Sequence, residues 1–139
     1  MRVTQGMFSF LPDLTDTQIE AQVTYFIDEG CAVAIEHTDD PHPRNTYWEM
    51  WGQPYFDLGV ARPVMEALAD CRDEVAHGYI RIVAFDATKG WESLRGSFIV
   101  QRPADEPGYH LERSYRGGRS VQYTTRSYAT DRPAGTRYR

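Results

Sequence analysis

Thr46-Tyr47-Trp48-Glu49-Met50-Trp51-Gly52-Gln53-Pro54-Tyr55-Phe56 carries the rings of Tyr47, Trp48, Trp51, Tyr55 and Phe56, with Met50 among them. Read as a strand from about Tyr47 to Trp51, it sends Tyr47, Glu49 and Trp51 one way and Trp48 and Met50 the other. Large rings thus stand on both faces, whereas a strand in a two-layer domain hides only one. Part of this area is expected to wait for another chain, since Trp, Tyr and Met are enriched at interface cores. Gly52 and Pro54 are expected to end the strand.

On the N-terminal side, Cys31 to His37 alternates as a strand, Cys31, Val33 and Ile35 opposite Ala32, Ala34 and Glu36. Thr38 to Asn45 is a polar connection stiffened by Pro41 and Pro43. Earlier still, Thr15 and Gln18 stand at the spacing of a capping box. Ile19, Val23, Phe26 and Ile27 follow at helical spacing, and Gly30 is a natural terminator. This predicts a helix over about 16–29.

On the C-terminal side, a second helix is predicted over about 62–75. Pro63 suits its first turn, Val64, Leu68, Cys71 and Val75 form one apolar stripe, and Gly78 closes it. Tyr79 to Phe85 reads as a strand, Lys89-Gly90 as a turn, and Ser97 to Gln101 as a short strand stopped by Pro103. Close-coupled strands favour antiparallel pairing. The predicted fold class is therefore α+β: a two-layer sandwich, with a four-stranded antiparallel sheet covered on one face by two helices. The helix–strand–strand order occurs twice, without a sequence repeat.

Beyond the loop Ala104 to Gly108, two further β-prone segments, Tyr109 to Tyr115 and Ser120 to Tyr128, flank Gly117-Gly118. That pair suits a primed hairpin turn. Tyr109, Leu111, Arg113 and Tyr115 share one face; Val121, Tyr123 and Thr125 are assigned to another. An isolated hairpin is marginal in water, so this one is expected to need a partner surface. Asp131 to Arg139 reads as a loose tail. The division expected is a core over 1–107 and a C-terminal hairpin extension over 108–139.

With 139 residues, 41% hydrophobic and 25% charged, the chain fits one soluble globular domain. No apolar run approaches the ~20 residues of a membrane helix, and no apolar stretch follows the N-terminus as in a signal peptide. Cys31 and Cys71 lack metal spacing and read as reduced core residues of a cytosolic protein. The net charge of −5 is uneven: −8 over 1–60, −2 over 61–107 and +5 over 108–139. An acidic body with an arginine-rich end suggests different partners for the two.

The search for chemistry returns little. P-loop, dinucleotide-binding and nucleophile-elbow signatures are missing. His37-Thr38-Asp39-Asp40-Pro41-His42 could ligate a divalent ion as a small metal-dependent enzyme, but Asp and Pro are also what a polar turn uses. Asp105 and Glu106 are sequence neighbours in a loop, where an acid/base pair would point apart. His77 and His110 stand alone, and Cys71 sits on a core stripe. Arg116-Gly117-Gly118-Arg119 with Tyr115 and Tyr123 could stack and pair with RNA. It is a single unit on a mostly acidic chain, which opposes phosphate. A well-formed domain with surplus aromatics and no convincing active site reads as a binding or assembly subunit.

The segment Asp39-Asp40-Pro41-His42-Pro43-Arg44-Asn45-Thr46-Tyr47-Trp48-Glu49-Met50-Trp51-Gly52 resembles the signature region of the small subunit of ribulose-bisphosphate carboxylase/oxygenase. Phe8 to Thr15 is similar to that family's N-terminal arm, Pro54-Tyr55-Phe56-Asp57 to its continuation past the aromatic strand, and Ser97 to Val100 with Arg102-Pro103 to its last core strand. The short Thr38–Thr46 connection and the chain beyond Pro103 resemble the red-type branch, whose hairpin extensions form a small barrel about a fourfold axis.

The resemblance implies a non-catalytic subunit that caps and stabilises an octamer of large subunits, eight of each chain. It implies that carbon dioxide fixation is influenced from outside the active site. No catalytic, cofactor-binding or metal residue is expected here; the carbamylated lysine and the magnesium are expected on the large subunit. Partners would be the large subunit and, through the hairpin, other small subunits, with neither nucleic acid nor membrane; the setting would be the cytoplasm of a bacterium. Candidate interface residues are Tyr47, Trp48, Glu49, Trp51 and Phe56, with Tyr109, Arg113, Tyr115, Arg116, Arg119 and Tyr123 on the hairpin. The arginines there could pair with acidic groups of neighbours.

Overall fold

The computed structural model describes residues 11–41, 47–106, 108–118, 120–127 and 131–138. The arm residues Phe8 to Phe10, the connection from His42 to Thr46, and Arg119 lie outside the described residues. Among those described, the chain forms two helices and six strands. Helix α1 spans Asp16–Asp28 and starts with the expected capping box. The Gln18 N–H donates to Thr15 Oγ1 at 3.3 Å, and the Thr15 N–H donates to Gln18 Oε1 at 2.9 Å. Helix α2 spans Arg62–Glu74 with proline in its first turn.

Strands β1 (Ala32–Thr38), β2 (Glu49–Tyr55), β3 (Tyr79–Asp86) and β4 (Ser93–Gln101) form one antiparallel sheet in the order β2-β1-β3-β4. Both helices lie on one face, as the apolar spacing predicts. There Ile19, Val23, Phe26 and Ile27 of α1 and Val64, Leu68 and Cys71 of α2 meet Val33, Ile35, Ile80, Ile82, Ala84 and Phe98 of the sheet. Burying each large aliphatic side chain stabilises the fold by about 1.5–3 kcal/mol. Gly96 lets Phe26 lie on the sheet: a Cβ at Gly96 would stand 2.4 Å from the Phe26 ring. Arg72 ties the layers together, its guanidinium donating to Asp16 Oδ1 of α1 at 2.7 Å and to the Val100 carbonyl of β4 at 3.3 Å.

Several boundaries differ from those read in the sequence. Strand β2 starts at Glu49 rather than Tyr47 and continues through Gly52 and Pro54 to Tyr55. Two features permit this: β2 is an edge strand, where a missing N–H costs no ladder bond on the solvent side, and the pairing with β1 is irregular there. Val33 faces Tyr55 and Ile35 faces Trp51, so residues 52–54 oppose Ala34 alone, with Gly52 at φ +68°. Strand β4 begins four residues earlier than expected, at Ser93, and carries Leu94 opposite Phe85.

Strands β5 (Tyr109–Arg116) and β6 (Ser120–Ser127) form a separate antiparallel ribbon. Arg116 pairs with Ser120, so the connection is three residues, 117–119. Of the two glycines only Gly118 takes a positive φ, +81°; a two-residue primed turn does not form. Leu111 faces Thr125, Arg113 faces Tyr123 and Tyr115 faces Val121. Directly opposed residues share a face, so Val121, Tyr123 and Thr125 lie on the same face as Leu111, Arg113 and Tyr115, not on a second one.

The tail is also not loose over its described part. Arg137 Nη1 lies 2.7 Å from Asp39 Oδ1, and the Tyr138 ring packs edge-on to Tyr79 at 5.6 Å. A basic and an aromatic side chain near the end of the chain supply the burial and charge pairing that a polar terminus ordinarily lacks.

Candidate functional site

Among the described residues no helix lies over the sheet's second face, and its side chains follow from strand alternation. Residues Ala32, Ala34 and Glu36 of β1 and Tyr79, Arg81, Val83 and Phe85 of β3 point that way. Two clusters form. At one end Trp48 and Tyr79 are buried together, with Ile99, Tyr109 and Tyr138 packed against them. At the other end Ala32, Ala34 and Phe85 are buried, with the exposed Phe56 ring edge-on to Phe85 at 5.9 Å. Between the clusters, Arg81 pairs with its cross-strand neighbour Glu36 at 2.7 Å. The Arg81 guanidinium also lies over the Trp48 ring, 4.3 Å from its centroid. A guanidinium both paired with a carboxylate and stacked on an indole is a well-satisfied cation in a mostly buried place.

The two tryptophans therefore go to opposite faces, as alternation predicts, and each is used within the chain. Trp48 is only 3% exposed, on the open face. Trp51 packs on the helix side of the sheet, edge-on to His37 at 6.0 Å. What the aromatic run leaves to solvent is Tyr47, 81% exposed, and Phe56, 54% exposed, with Met50. Glu49 is exposed beside its cross-strand partner His37, 3.9 Å from His37 Nε2.

The junction between sheet and ribbon is a polar network around buried phenols. The Tyr79 hydroxyl donates to Glu106 Oε2 at 3.0 Å, and Arg102 Nη1 lies 3.4 Å from the same oxygen. The Tyr109 hydroxyl donates to the Pro41 carbonyl. Burial, and then the neighbouring Tyr138 and Glu106, push the Tyr79 phenol well above its ordinary range. Burial raises Tyr109 as well and moves Tyr138 up to about 12. These groups stay neutral at physiological pH and serve as hydrogen-bonding wedges rather than as acids or bases.

The ribbon contrasts with this. Leu111 is 68% and Tyr115 72% exposed; Tyr123, Arg113 and Arg116 are exposed too. The Arg113 guanidinium lies 4.9 Å from the Tyr115 ring centroid, and Arg126 pairs with Glu112 at 2.7 Å on the opposite face. Among the described hairpin candidates Tyr109 alone is half-buried, at the ribbon's base.

The metal candidate gains no support from the structure. His37 stands by Glu49 and Trp51, His42 lies outside the described residues, and no group of three or more His, Cys, Asp or Glu side chains among the described residues could hold an ion. Glu106, weighed in the sequence only beside Asp105 as an acid/base pair, instead accepts from Tyr79 and pairs with Arg102. Sequence reasoning missed Arg81, which carried no motif, and Tyr138, which was assigned to the loose tail.

A fold of two helices on one face of a β2-β1-β3-β4 sheet, with rings rather than helices packed on the second face and an exposed ribbon, is the setting for the comparison with known proteins. The family model for the ribulose bisphosphate carboxylase small chain matches residues 5–103. The chain belongs to this family. Ribulose bisphosphate carboxylase small subunits from the brown alga Ectocarpus siliculosus and from Porphyridium aerugineum are 59% and 54% identical to it, each over 99% of this chain and 100% of its relative. In the solved structure of RuBisCO from Galdieria partita, a chain with 48% identity superposes with a TM-score of 0.93, covering 99% of this chain and 100% of that one.

The small-subunit family model stops at residue 103, whereas these relatives match through the ribbon as well; the extension is thus shared with the algal small subunits, as the red-type resemblance implied. A small subunit is the non-catalytic partner of a large subunit, which agrees with a site made of packing residues rather than reactive ones. The relatives come from eukaryotic algae and lend the bacterial setting no support. No helix among the described residues is long and apolar enough to cross a membrane.

Proposed function

We propose that this chain caps an octamer of large subunits, eight of each, as a structural partner in the Calvin cycle's fixation of carbon dioxide. The carbamylated lysine and magnesium belong to the large subunit. The chain's role is to hold that active site in place from outside, affecting turnover and the choice between carbon dioxide and oxygen indirectly. Residues 1–107 act as the capping core and 108–139 as the extension. The free, buried Cys31 and Cys71 suit a reducing compartment such as the cytoplasm.

The observation that carries this reading is the ribbon Tyr109–Ser127, which has an apolar stripe and almost no cover. Two strands alone are marginal in water, and an exposed stripe of Leu111, Tyr115, Val121 and Tyr123 suits burial in an assembly. Tyr109, Arg113, Tyr115, Arg116 and Tyr123, with Arg119, would meet other small subunits there. Tyr47, Glu49 and Phe56 would meet the large subunit, while Trp48 and Trp51 brace them from within.

Co-expression with a red-type large subunit tests this. The chain should enter a particle of both subunits whose mass matches eight of each, and the particle should fix carbon dioxide while the chain alone does not. A chain that never co-purifies with such a large subunit would overturn the proposal.

A further inference from the structure

The C-terminal segment makes a compact turn of its own. The Arg132 guanidinium donates to the Arg137 carbonyl at 3.0 Å, and the Arg137 Nε donates back to the Arg132 carbonyl at 3.3 Å. The Thr136 N–H and hydroxyl both donate to the Pro133 carbonyl, at 3.2 and 2.9 Å. Gly135 takes φ +76°, a conformation that suits glycine.

That turn meets one carboxylate from the far end of the sheet. Asp39, just past β1, accepts from the Gly135 N–H through Oδ2 and from Arg137 Nη1 through Oδ1. Both side chains of the Arg137–Asp39 pair are mostly buried, at 16% and 28% exposure. Next in sequence, Tyr138 enters the cluster of Trp48, Tyr79, Ile99 and Tyr109. Tyr109 in turn donates to the Pro41 carbonyl, two residues after Asp39. The segment therefore grips the start of the β1–β2 connection and packs on the same Trp48–Tyr79 cluster as Tyr109 at the base of the ribbon. The ribbon is a sheet separate from the core sheet, and the Tyr79–Glu106–Arg102 network lies just before its first strand.

We propose that Arg132–Tyr138 is a clasp that fixes the ribbon's angle to the core and stiffens the start of the β1–β2 connection. Asp39 is its catch, Arg137 the charged prong and Tyr138 the apolar one. By packing the cluster on which Tyr109 rests and holding the Asp39 end of the connection that accepts from Tyr109, these contacts fix the ribbon's base more firmly than a single loop can. Pre-ordering of this kind lowers the entropy that must be given up when either surface docks. The clasp follows from the chain's own geometry and holds whichever partner is bound.

Amide hydrogen exchange on the full chain and on variants tests it. Removing residues 132–139 should speed exchange about tenfold to a hundredfold over residues 38–41 and 104–110, the range expected when charge-assisted hydrogen bonds are lost. Exchange at the centres of β1 and β3 should not change. Arg137→Ala and Asp39→Ala keep the chain length, so they read the same contact if the truncated chain does not fold. Each should show the pattern, and the double variant should exceed Asp39→Ala by no more than a small factor, because Arg137 reaches the connection through Asp39. Unchanged exchange over 38–41 and 104–110, a uniform rise across the core, or fully additive effects of the two substitutions would each overturn the clasp.

Discussion

Strands Tyr79–Asp86 and Tyr109–Arg116 have the same length and the same first residue, yet one is the most enclosed strand of the molecule and the other among the most exposed. The difference lies in what alternates. In β3, Ile80, Ile82 and Ala84 face the helices while Tyr79, Val83 and Phe85, with the paired Arg81 among them, fill the opposite side, so both faces are largely apolar and largely buried. In β5, Tyr109, Leu111 and Tyr115 alternate with His110, Glu112, Ser114 and Arg116, which leaves one apolar stripe and one polar face. The first pattern belongs to a strand enclosed by its own chain. The second belongs to a strand that needs one more layer, and the described residues supply none beyond the ribbon's base. The contrast separates what the subunit builds by itself from what it leaves to an assembly.

Substitutions should break that contrast in graded ways. Ile82→Ala removes a fully buried side chain between the helices and the sheet and should cost about 2–5 kcal/mol in urea unfolding. Gly96→Ala pushes a methyl against the Phe26 ring, itself packed by Phe98, and should cost about 1–3 kcal/mol in the same measurement. The paired change Leu111→Ser with Tyr115→Ser should alter unfolding of the isolated chain by no more than about 0.5 kcal/mol, as exposed sites do. It should nonetheless weaken recovery with a large subunit in pull-down.

The smallest effect concerns pH. Folding raises the Tyr138 phenol from its ordinary 10 to about 12 through burial, so the folded chain holds this proton more tightly than the unfolded one. Its contribution is complete below pH 10 and drains away as pH climbs from 10 through about 12. Tyr138→Phe has no proton to lose; its thermal midpoint should fall less steeply over that interval than the parent's.

The core was legible because its signals are local. Thr15 with Gln18, the stripe Val64–Leu68–Cys71 and the alternation of Ala32 to Ile35 each lie within one element or at its cap, and these emerged as read, although Cys31 falls just before β1 and Val75 just past α2. The hairpin was legible for the same reason, although the three-residue connection and the shared face of its two strands depend on register, which a Gly-Gly pair does not set alone. Strand β2 was cut short because Gly52 and Pro54 are breakers in a central strand, and only the topology reveals that β2 lies at an edge. The docking of Arg137 on Asp39 joins residues 98 positions apart, and nothing in either neighbourhood announces it. Likewise the surplus in the aromatic run was visible, but its division was not. Trp48 is taken up by Arg81 and Tyr79, which leaves Tyr47 and Phe56 as the exposed rings.

Truncation after Gly108 separates the enclosed sheet from the uncovered ribbon most directly. It removes the ribbon and the clasp and bares one edge of the Trp48–Tyr79 cluster, while the helix-side core stays whole. The truncated chain should still unfold cooperatively, at a lower midpoint than the full chain, and its recovery with co-expressed large subunits should fall sharply. Assembly as tight as that of the full chain would contradict the ribbon's role.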